Sequence, residues 1–357
     1  MKKLYLVDVS SFFFRAFFAI PPLTNSEGLP TNALYGFMSM TLKLLRDIRP
    51  DYMVYCLDRK EPSFRKEMYE DYKANRDEMP DDLVPQVPYI KKITEALGIP
   101  WMDKEGYEAD DIIGSLCRWG RQNNLEVVIV SGDKDFAQLI APYVTMFDTM
   151  KDLRYDEEGV KKKWGVRPDQ FIDYLALVGD SSDNIPGVRG IGPKGAEKLL
   201  GEFESLEGVY QNIESISAKG TKAKLLENKD MAFLSQKLVS IATEMDLEIN
   251  LNKISLQPIR HDVLQDLMQF LGFQSFLKKL EKDVGDSGSK SAEKSIETSY
   301  VSAGPEVKAY ELVEVDLATF DKLVEPYSEI WALSSERGLA FSLASKLYWV
   351  SESPEAI

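Results

Sequence analysis

Two short stretches concentrate the residues that could do chemistry: Glu108-Ala-Asp-Asp111 and Ser131-Gly-Asp-Lys-Asp135. Between them, Val127 to Val130 is a β-branched run bounded by turn residues, the pattern of a strand buried on both faces. Asp133 and Asp135 therefore leave the carboxyl end of a buried strand, where open α/β sheets set their ligand crevice. Glu108 and Asp111, three apart at the start of a helix, are expected to share one face of it. Two other apolar runs, Leu4–Val7 and Tyr52–Leu57, are each followed by an aspartate, Asp8 and Asp58. Asp180-Ser-Ser-Asp183 repeats the three-residue acid spacing further on. Carboxylates aimed at one spot repel one another, and a bound divalent cation is the simplest remedy. His261 is the only histidine, so any hydrolysis here would use water activated by a cation rather than an imidazole base.

The chain has 357 residues, 44% hydrophobic and 28% charged, which suits two or three soluble domains with a sizeable core. No apolar run reaches the length of a membrane span. Asp8 interrupts the first apolar stretch too early for a signal peptide, so a cytosolic location is expected. Cys56 and Cys117 lie in apolar settings and read as core fillers rather than a disulfide. A net charge of −15 argues by itself against nucleic acid as a partner. That argument loses force if the acids are ligands, because bound cations reverse the local sign.

The elements that must position the acids can be taken in order. Ser10 or Ser11 is expected to cap a helix carrying Phe12, Phe13, Phe14, Phe17 and Phe18, a cluster that reads as core packing. Arg15 is the odd member and a candidate phosphate contact. Asn32 to Ile48 has helical periodicity. From Arg59 to Asp82 the composition changes: Arg65, Lys66, Lys73 and Arg76 interleave with Phe64, Tyr69 and Tyr72. Cations among rings suit a single nucleic-acid strand, while the interspersed acids suit a solvated helix of mixed charge, and composition favours neither. Leu83 to Leu97 is expected to be helical, Ile99 to Met102 an edge strand, and Phe136 the start of another helix. After residue 170 the pattern turns helical. Gly190-Ile-Gly192, with Arg189, Lys194 and Lys198 around it, reads as a helix–hairpin–helix turn whose amides approach a phosphate. A tight structural turn is its plainer reading. Asp283 to Ser302 has linker composition. Beyond Tyr310, strand-like runs at Leu312–Val315, Ile330–Leu333, Leu339–Leu343 and Leu347–Val350, with a helix over 318–324, would open a further α/β domain.

Taken together and in order, several motifs resemble the 5′-nuclease domain of bacterial DNA polymerase I, of the flap endonuclease family. They are Asp8, Asp58-x-x-x-Pro62-Ser-Phe-Arg65, Tyr72-Lys-Ala-Asn-Arg76, Glu108-Ala-Asp-Asp111, Ser131-Gly-Asp-Lys-Asp135 and Gly179-Asp-Ser-Ser-Asp-Asn-Ile-Pro-Gly187. The likeness runs from residue 1 to residue 275. It implies an α/β, PIN-like fold: a catalytic domain over 1–170 with a mainly parallel central sheet and a helical arch, then a helix–hairpin–helix subdomain over 171–280. A flexible linker over 281–305 and the incomplete start of a 3′–5′ exonuclease-like domain over 306–357 would follow. Trp331-Ala-Leu-Ser-Ser-Glu336 lacks the aspartate of the Asp-x-Glu pair that such a domain uses.

The resemblance also implies two Mg²⁺ ions, with Mn²⁺ as a substitute. Asp8, Asp58, Glu108 and Asp110 would hold the first; Asp110, Asp133, Asp135 and Asp183 would hold the second, with Asp111 and Asp180 in the outer sphere. Lys73 and Arg76 would contact the scissile phosphate from the arch, with Arg65 in the same segment. Arg189, Gly190, Gly192, Lys194 and Lys198 would grip the duplex backbone, and the hairpin would admit K⁺. The expected activity is structure-specific 5′-3′ exonuclease and flap endonuclease cleavage of DNA at a 5′ flap, nick or gap, in replication and repair. A monomer in the bacterial cytoplasm, associated with the nucleoid, is expected. A DNA-binding module without catalysis is the alternative.

Overall fold

The continuous apolar runs become the middle of one sheet. β1 (Lys3–Asp8), β2 (Tyr52–Cys56), β3 (Trp101–Met102), β4 (Glu126–Val130), β5 (Val144–Asp148) and β6 (Leu153–Tyr155) lie in the order β3-β2-β1-β4-β5-β6. All neighbours are parallel except β5 and β6. The structure is a computed structural model that describes residues 1–277 and four later strands. Alternation along the strands serves two cores: Leu4, Leu6, Val54, Cys56, Val127 and Ile129 face one, and Tyr5, Val7, Met53, Tyr55, Val128 and Val130 face the other. Burying a side chain of this size stabilises by about 1.5–3 kcal/mol, so both faces must be covered.

Helices supply the cover. α1 (Val9–Ala19), α2 (Asn32–Ile48), α3 (Phe64–Met68), α4 (Val87–Ala96) and α5 (Ala109–Gln122) are threaded among the strands. α6 (Glu157–Trp164), α7 (Phe171–Val178), α8 (Pro193–Phe203), α9 (Leu206–Gln211), α10 (Lys219–Glu227), α11 (Lys229–Val239), α12 (Leu251–Ile254) and α13 (His261–Phe270) follow them. α5 lays Ile112, Ile113 and Leu116 on the first face, in the same apolar cluster as Leu175, Leu177, Leu199 and Leu238 of the later helices. The helical part after residue 170 therefore continues the sheet's own core. α13 crosses back: Leu264 and Met268 join Phe12, Phe13, Phe37 and Ile93 on the second face. Cys56 and Cys117 are free and buried.

Local differences from the sequence reading have physical causes. Asp8 rather than Ser10 or Ser11 caps α1, because the strand runs straight into the helix and leaves its last side chain at the cap position. Phe12 and Phe13 are buried, whereas Phe14 and Phe18 are 38% and 75% exposed, so the core reading holds for only part of that cluster. Pro85 and Pro88 break the expected 83–97 helix into a 3₁₀ turn and α4. Between β2 and α4 the expected helical arch is the short α3 followed by turns. In the second compact unit, β7 (Leu312–Val315), β8 (Ala332–Ser335), β9 (Gly338–Leu343) and β10 (Lys346–Val350) form a sheet in the order β7-β10-β9-β8. The expected linker at 281–305 and helix at 318–324 lie outside the described residues. Among the described residues, no helix is long and apolar enough to cross a membrane.

β1 lies between β2 and β4, so chain order reverses there and a crevice opens at the carboxyl ends of these strands. Gly179 ends α7 with φ 78° and ψ 177°, a conformation nearly confined to glycine, and turns the chain toward that crevice. A Cβ there would stand 2.6 Å from the Ile185 carbonyl oxygen. Gly179→Ala is therefore expected to cost about 3 kcal/mol in urea unfolding. Gly201→Ala, inside α8 with nothing within 4 Å, should instead gain about 0.5–1 kcal/mol.

Candidate active site

The acids are seated one by one by the fold. Asp8, the last residue of β1, accepts the Ser11 N–H at Oδ1 (3.2 Å) and the Ser131 hydroxyl at Oδ2 (2.9 Å). Asp58, just past β2, accepts the Ala109 N–H (2.8 Å) and the Ser10 hydroxyl (2.5 Å). That bond hooks the first turn of α5 to the β2 edge and sets Asp110 beside Asp8 and Asp58. After β4, Asp133 donates its N–H to Ser131 Oγ (3.1 Å) and accepts the Asp135 N–H (2.9 Å). The loop after α7 closes on itself through paired backbone bonds between Asp180 and Ile185 (2.7 and 2.8 Å), which presents Asp183.

Electrostatics divides these acids into two groups. Burial, then Asp58, pushes Asp8 up to about 7. Burial, then Asp133, pushes Asp110 and Asp135 well above the carboxylate range. Asp133 keeps part of its surface exposed, yet burial by the atoms around it, reinforced by Asp183 and Asp180, pushes it up as well. Asp135 Oδ1 is, among the described residues, the one buried side-chain polar atom with no hydrogen-bond partner. Glu108 and Asp180 behave oppositely. Burial opposes their charge, yet Lys73 and Arg65 hold Glu108 low, and Lys134 (2.7 Å) with Ser182 holds Asp180 low. Asp135 feels Asp133, Asp180 and Asp183, while Asp110 feels Asp133, Asp8 and Asp58, so acids from opposite ends of this span share one electrostatic pocket. Among the described residues no three of them already stand as a ligating set around one point. A donor set made only of carboxylate oxygens, short of positive charge on one side, suits a hard divalent cation.

Family models match residues 3–165 as a 5′-3′ exonuclease N-terminal resolvase-like domain and residues 166–262 as a 5′-3′ exonuclease C-terminal SAM fold. A DNA polymerase I of Caldicellulosiruptor bescii is 46% identical over 285 residues, 78% of this chain and 33% of that protein. The chain thus spans about a third of the length of that relative. A 5′-3′ exonuclease of Aquifex aeolicus is 41% identical over 282 residues, which are 79% of this chain and 96% of that protein. The chain belongs to the 5′-3′ exonuclease family. The bacteriophage T5 flap endonuclease, solved as a pseudo-enzyme-product complex with DNA and metal ions, has the same fold. Its TM-score is 0.56 at 21% identity, covering 80% of this chain and 98% of that one.

In this member of the family the basic residues occupy three different settings. Lys73 and Arg76 lie in a strap of turns folded over the acids. Lys73, at φ 56°, gives its backbone N–H to the Asp183 carbonyl (2.9 Å) and its ammonium to Glu108 Oε1 (2.8 Å). The Arg76 guanidinium pairs with the Asp183 carboxylate. Asn75 to the Ser181 carbonyl (2.6 Å) and Asn184 to the Asp71 carbonyl (2.7 Å) fasten the strap at both edges. Arg15 bonds Ser11 Oγ (3.2 Å) and reaches over Gly132 at the pocket rim. Arg189, Gly190, Gly192, Lys194 and Lys198 are all exposed around the hairpin that leads into α8.

Arg65 and Asp111 are corrections. Arg65 is 2% exposed and Asp111 0%, and they form a bidentate pair at 2.7 and 2.8 Å. Neither faces the pocket as a DNA contact or an outer-sphere ligand would. The three-residue spacing of Glu108 and Asp111 is instead a helix-start device, in which the Glu108 N–H donates to Asp111 Oδ2 (3.1 Å). Sequence reasoning missed three further groups. The Tyr72 hydroxyl donates to Glu108 (3.1 Å) and lies 3.4 Å from Asp183. Ser131 steadies Asp8, and Lys134 neutralises Asp180. Only Lys134, set between two aspartates of one motif, carried a signal.

The acids that are pushed up bind protons more tightly folded than unfolded. In chelator, their contribution to stability is therefore greatest at acid pH and declines as pH rises from about 4 through about 7. Glu108 and Asp180, held low, act in the opposite sense only below about pH 4. Asn caps helices as well as Asp, so Asp8→Asn should flatten the decline and raise the pH 8 melting temperature by several degrees. Thermal melts in EDTA at pH 5.5 and pH 8 measure this, and parallel declines in the two proteins would contradict it.

Proposed function

We propose that this chain hydrolyses a DNA phosphodiester close to a 5′ end, as the nuclease part of a DNA polymerase I-type protein. The carrying observation is the pairing of two features: carboxylates lacking positive charge, with an orphaned Asp135 oxygen, and a strap that brings Lys73 and Arg76 to the same pocket. Asp8, Asp58, Glu108 and Asp110 would hold one divalent cation; Asp110, Asp133, Asp135 and Asp183 would hold a second, with Asp180 beyond them. Such ions, Mg²⁺ in the cell and Mn²⁺ as a substitute, supply Lewis-acid polarisation of the phosphoryl group and a more acidic water. The T5 enzyme's complex with DNA and metal ions supports the reading.

The chain's own residues do the rest. Lys73 and Arg76 exchange Glu108 and Asp183 for the scissile phosphate and offset the charge that grows on it, with Arg76 able to bond two oxygens at once. Tyr72 keeps its proton, because burial and the adjacent Glu108 and Asp183 push its hydroxyl up, and so remains a donor to Glu108. Arg15 takes a further phosphate at the rim. Arg189, Lys194, Lys198 and the amides around Gly190 and Gly192 grip duplex backbone beyond the cut, with K⁺ as an accessory ion. No contact of this kind reads bases, so selection rests on the shape of a 5′ flap, nick or gap. In this reading the chain acts in primer removal and repair, as a monomeric, nucleoid-associated cytoplasmic protein.

A labelled 5′-flap duplex in Mg²⁺ tests the assignment. Asp133→Asn and Lys73→Ala are each expected to slow cleavage by about 10²–10³-fold while binding in Ca²⁺ persists. Flap cleavage by Asp133→Asn at the parent rate would end the site assignment. Lys194→Met should leave the chemical step intact, weaken duplex binding and reduce the salt slope of binding by about one.

A further inference from the structure

Arg65 uses its whole guanidinium inside the protein. Nε donates to the Leu238 carbonyl (2.9 Å), one terminal nitrogen to Asp111 Oδ2 (2.8 Å) and Glu108 Oε2 (3.4 Å), the other to Asp111 Oδ1 (2.7 Å) and the Ser240 carbonyl (2.7 Å). An arginine has five N–H donors, and these bonds engage all of them. None is left for a phosphate. The acceptors come from two pieces of chain, the start of α5 and the exit from α11, and Arg65 itself belongs to a third, α3. Asp111 in turn accepts the Glu108 N–H (3.1 Å) and the Ala242 N–H (2.8 Å), so the pair sits at the junction of all three pieces. Glu108 is the acid thereby fixed, through its backbone by Asp111 and through its carboxylate by Arg65. α11 leads onward from the same junction, since Ser235 Oγ accepts the Gly187 N–H (3.1 Å) at the close of the loop that presents Asp183.

We infer that Arg65 and Asp111 are positioning residues of the nuclease: a buried clasp that fixes Glu108 and ties the base of the strap to α11, without touching DNA. The inference rests on the reading of the pocket as a nuclease site. Lysine cannot replace Arg65, because three donors on a point charge cannot span a carboxylate and two carbonyls in one plane. Small displacements at a reacting centre are costly, with 1 Å worth about 10²-fold in rate.

The experiment compares the parent with Arg65→Lys, Asp111→Asn and the double variant Arg65→Met/Asp111→Leu in the same chain. The double variant removes both buried charges at once, a change that folds tolerate far better than loss of one partner. Flap cleavage gives kcat and KM, a fluorescent flap in Ca²⁺ gives DNA affinity and its salt slope, and calorimetry with Ca²⁺ alone gives cation affinity. For each folded variant the expected result is a kcat lower by about 10²-fold, weaker Ca²⁺ binding, and unchanged DNA affinity and salt slope. A folded double variant with parental kcat and Ca²⁺ affinity would overturn the inference, as would a salt slope smaller by about one, the mark of a lost phosphate contact. Arg65→Lys acting like the parent would overturn it too. If the parent itself does not cleave, the nuclease reading has failed, and Ca²⁺ affinity alone then judges whether the clasp positions Glu108.

Discussion

Mutual repulsion among carboxylates at the ends of β1, β2 and β4 is the constraint to which the rest of the molecule answers. Sheet order makes the convergence unavoidable, because the chain reverses its winding at β1. The cost is large on the scale of protein stability. Moving Asp8 from 3.8 to about 7 corresponds to roughly 4 kcal/mol, set against a total of about 5–15 kcal/mol for a folded domain. A fold could not carry many such groups bare. The Glu108, Asp180 and Asp183 side of the pocket is compensated from within by Lys73, Arg76, Arg65 and Lys134, whereas Asp8, Asp110, Asp133 and Asp135 form no ion pair among the described residues.

That division gives the strap a double character. Its cations are counter-ions to Glu108 and Asp183, and they are also the groups best placed to meet a phosphate. In the proposed reaction, binding substrate would be an exchange of partners rather than the creation of new charge contacts. The bonds of Asn75 to the Ser181 carbonyl and of Asn184 to the Asp71 carbonyl hold the strap to the 181–184 loop without using its charged tips.

Much of this was legible in the sequence, for a definite reason. Strands buried on both faces leave an unmistakable β-branched run, and a polar residue directly after one must sit at the sheet edge. Asp8, Asp58 and Asp133 were readable for that reason. Asp111 misled because an acid three residues after a helix start serves capping as readily as chemistry, and spacing does not distinguish the two. Arg65 misled because a cation in a basic, aromatic-rich segment looks exposed. Only the fold brings the Leu238 and Ser240 carbonyls, far along the chain, up to its guanidinium. Tyr72 looked like a stacking ring, while the working atom is its hydroxyl. Helix lengths between Arg59 and Asp82 were illegible for a simpler reason: its charges permit a helix, but its contacts with residues 181–184 prefer turns.

The return of α13 to the far side of the sheet bears on where this nuclease can be trimmed. Its approach is stitched to the end of α4, with Gln257 N–H on the Gly98 carbonyl (2.7 Å) and Arg260 N–H on the Ala96 carbonyl (2.8 Å). Asn25 then anchors the Phe270 carbonyl (3.0 Å). The family match stops at residue 262, yet Leu264, Met268, Leu271, Phe273 and Phe276 still roof the second core. A minimal fragment drawn at the match boundary would leave that roof off. A fragment that keeps the second core covered must run at least through Leu277, seven residues past the end of α13.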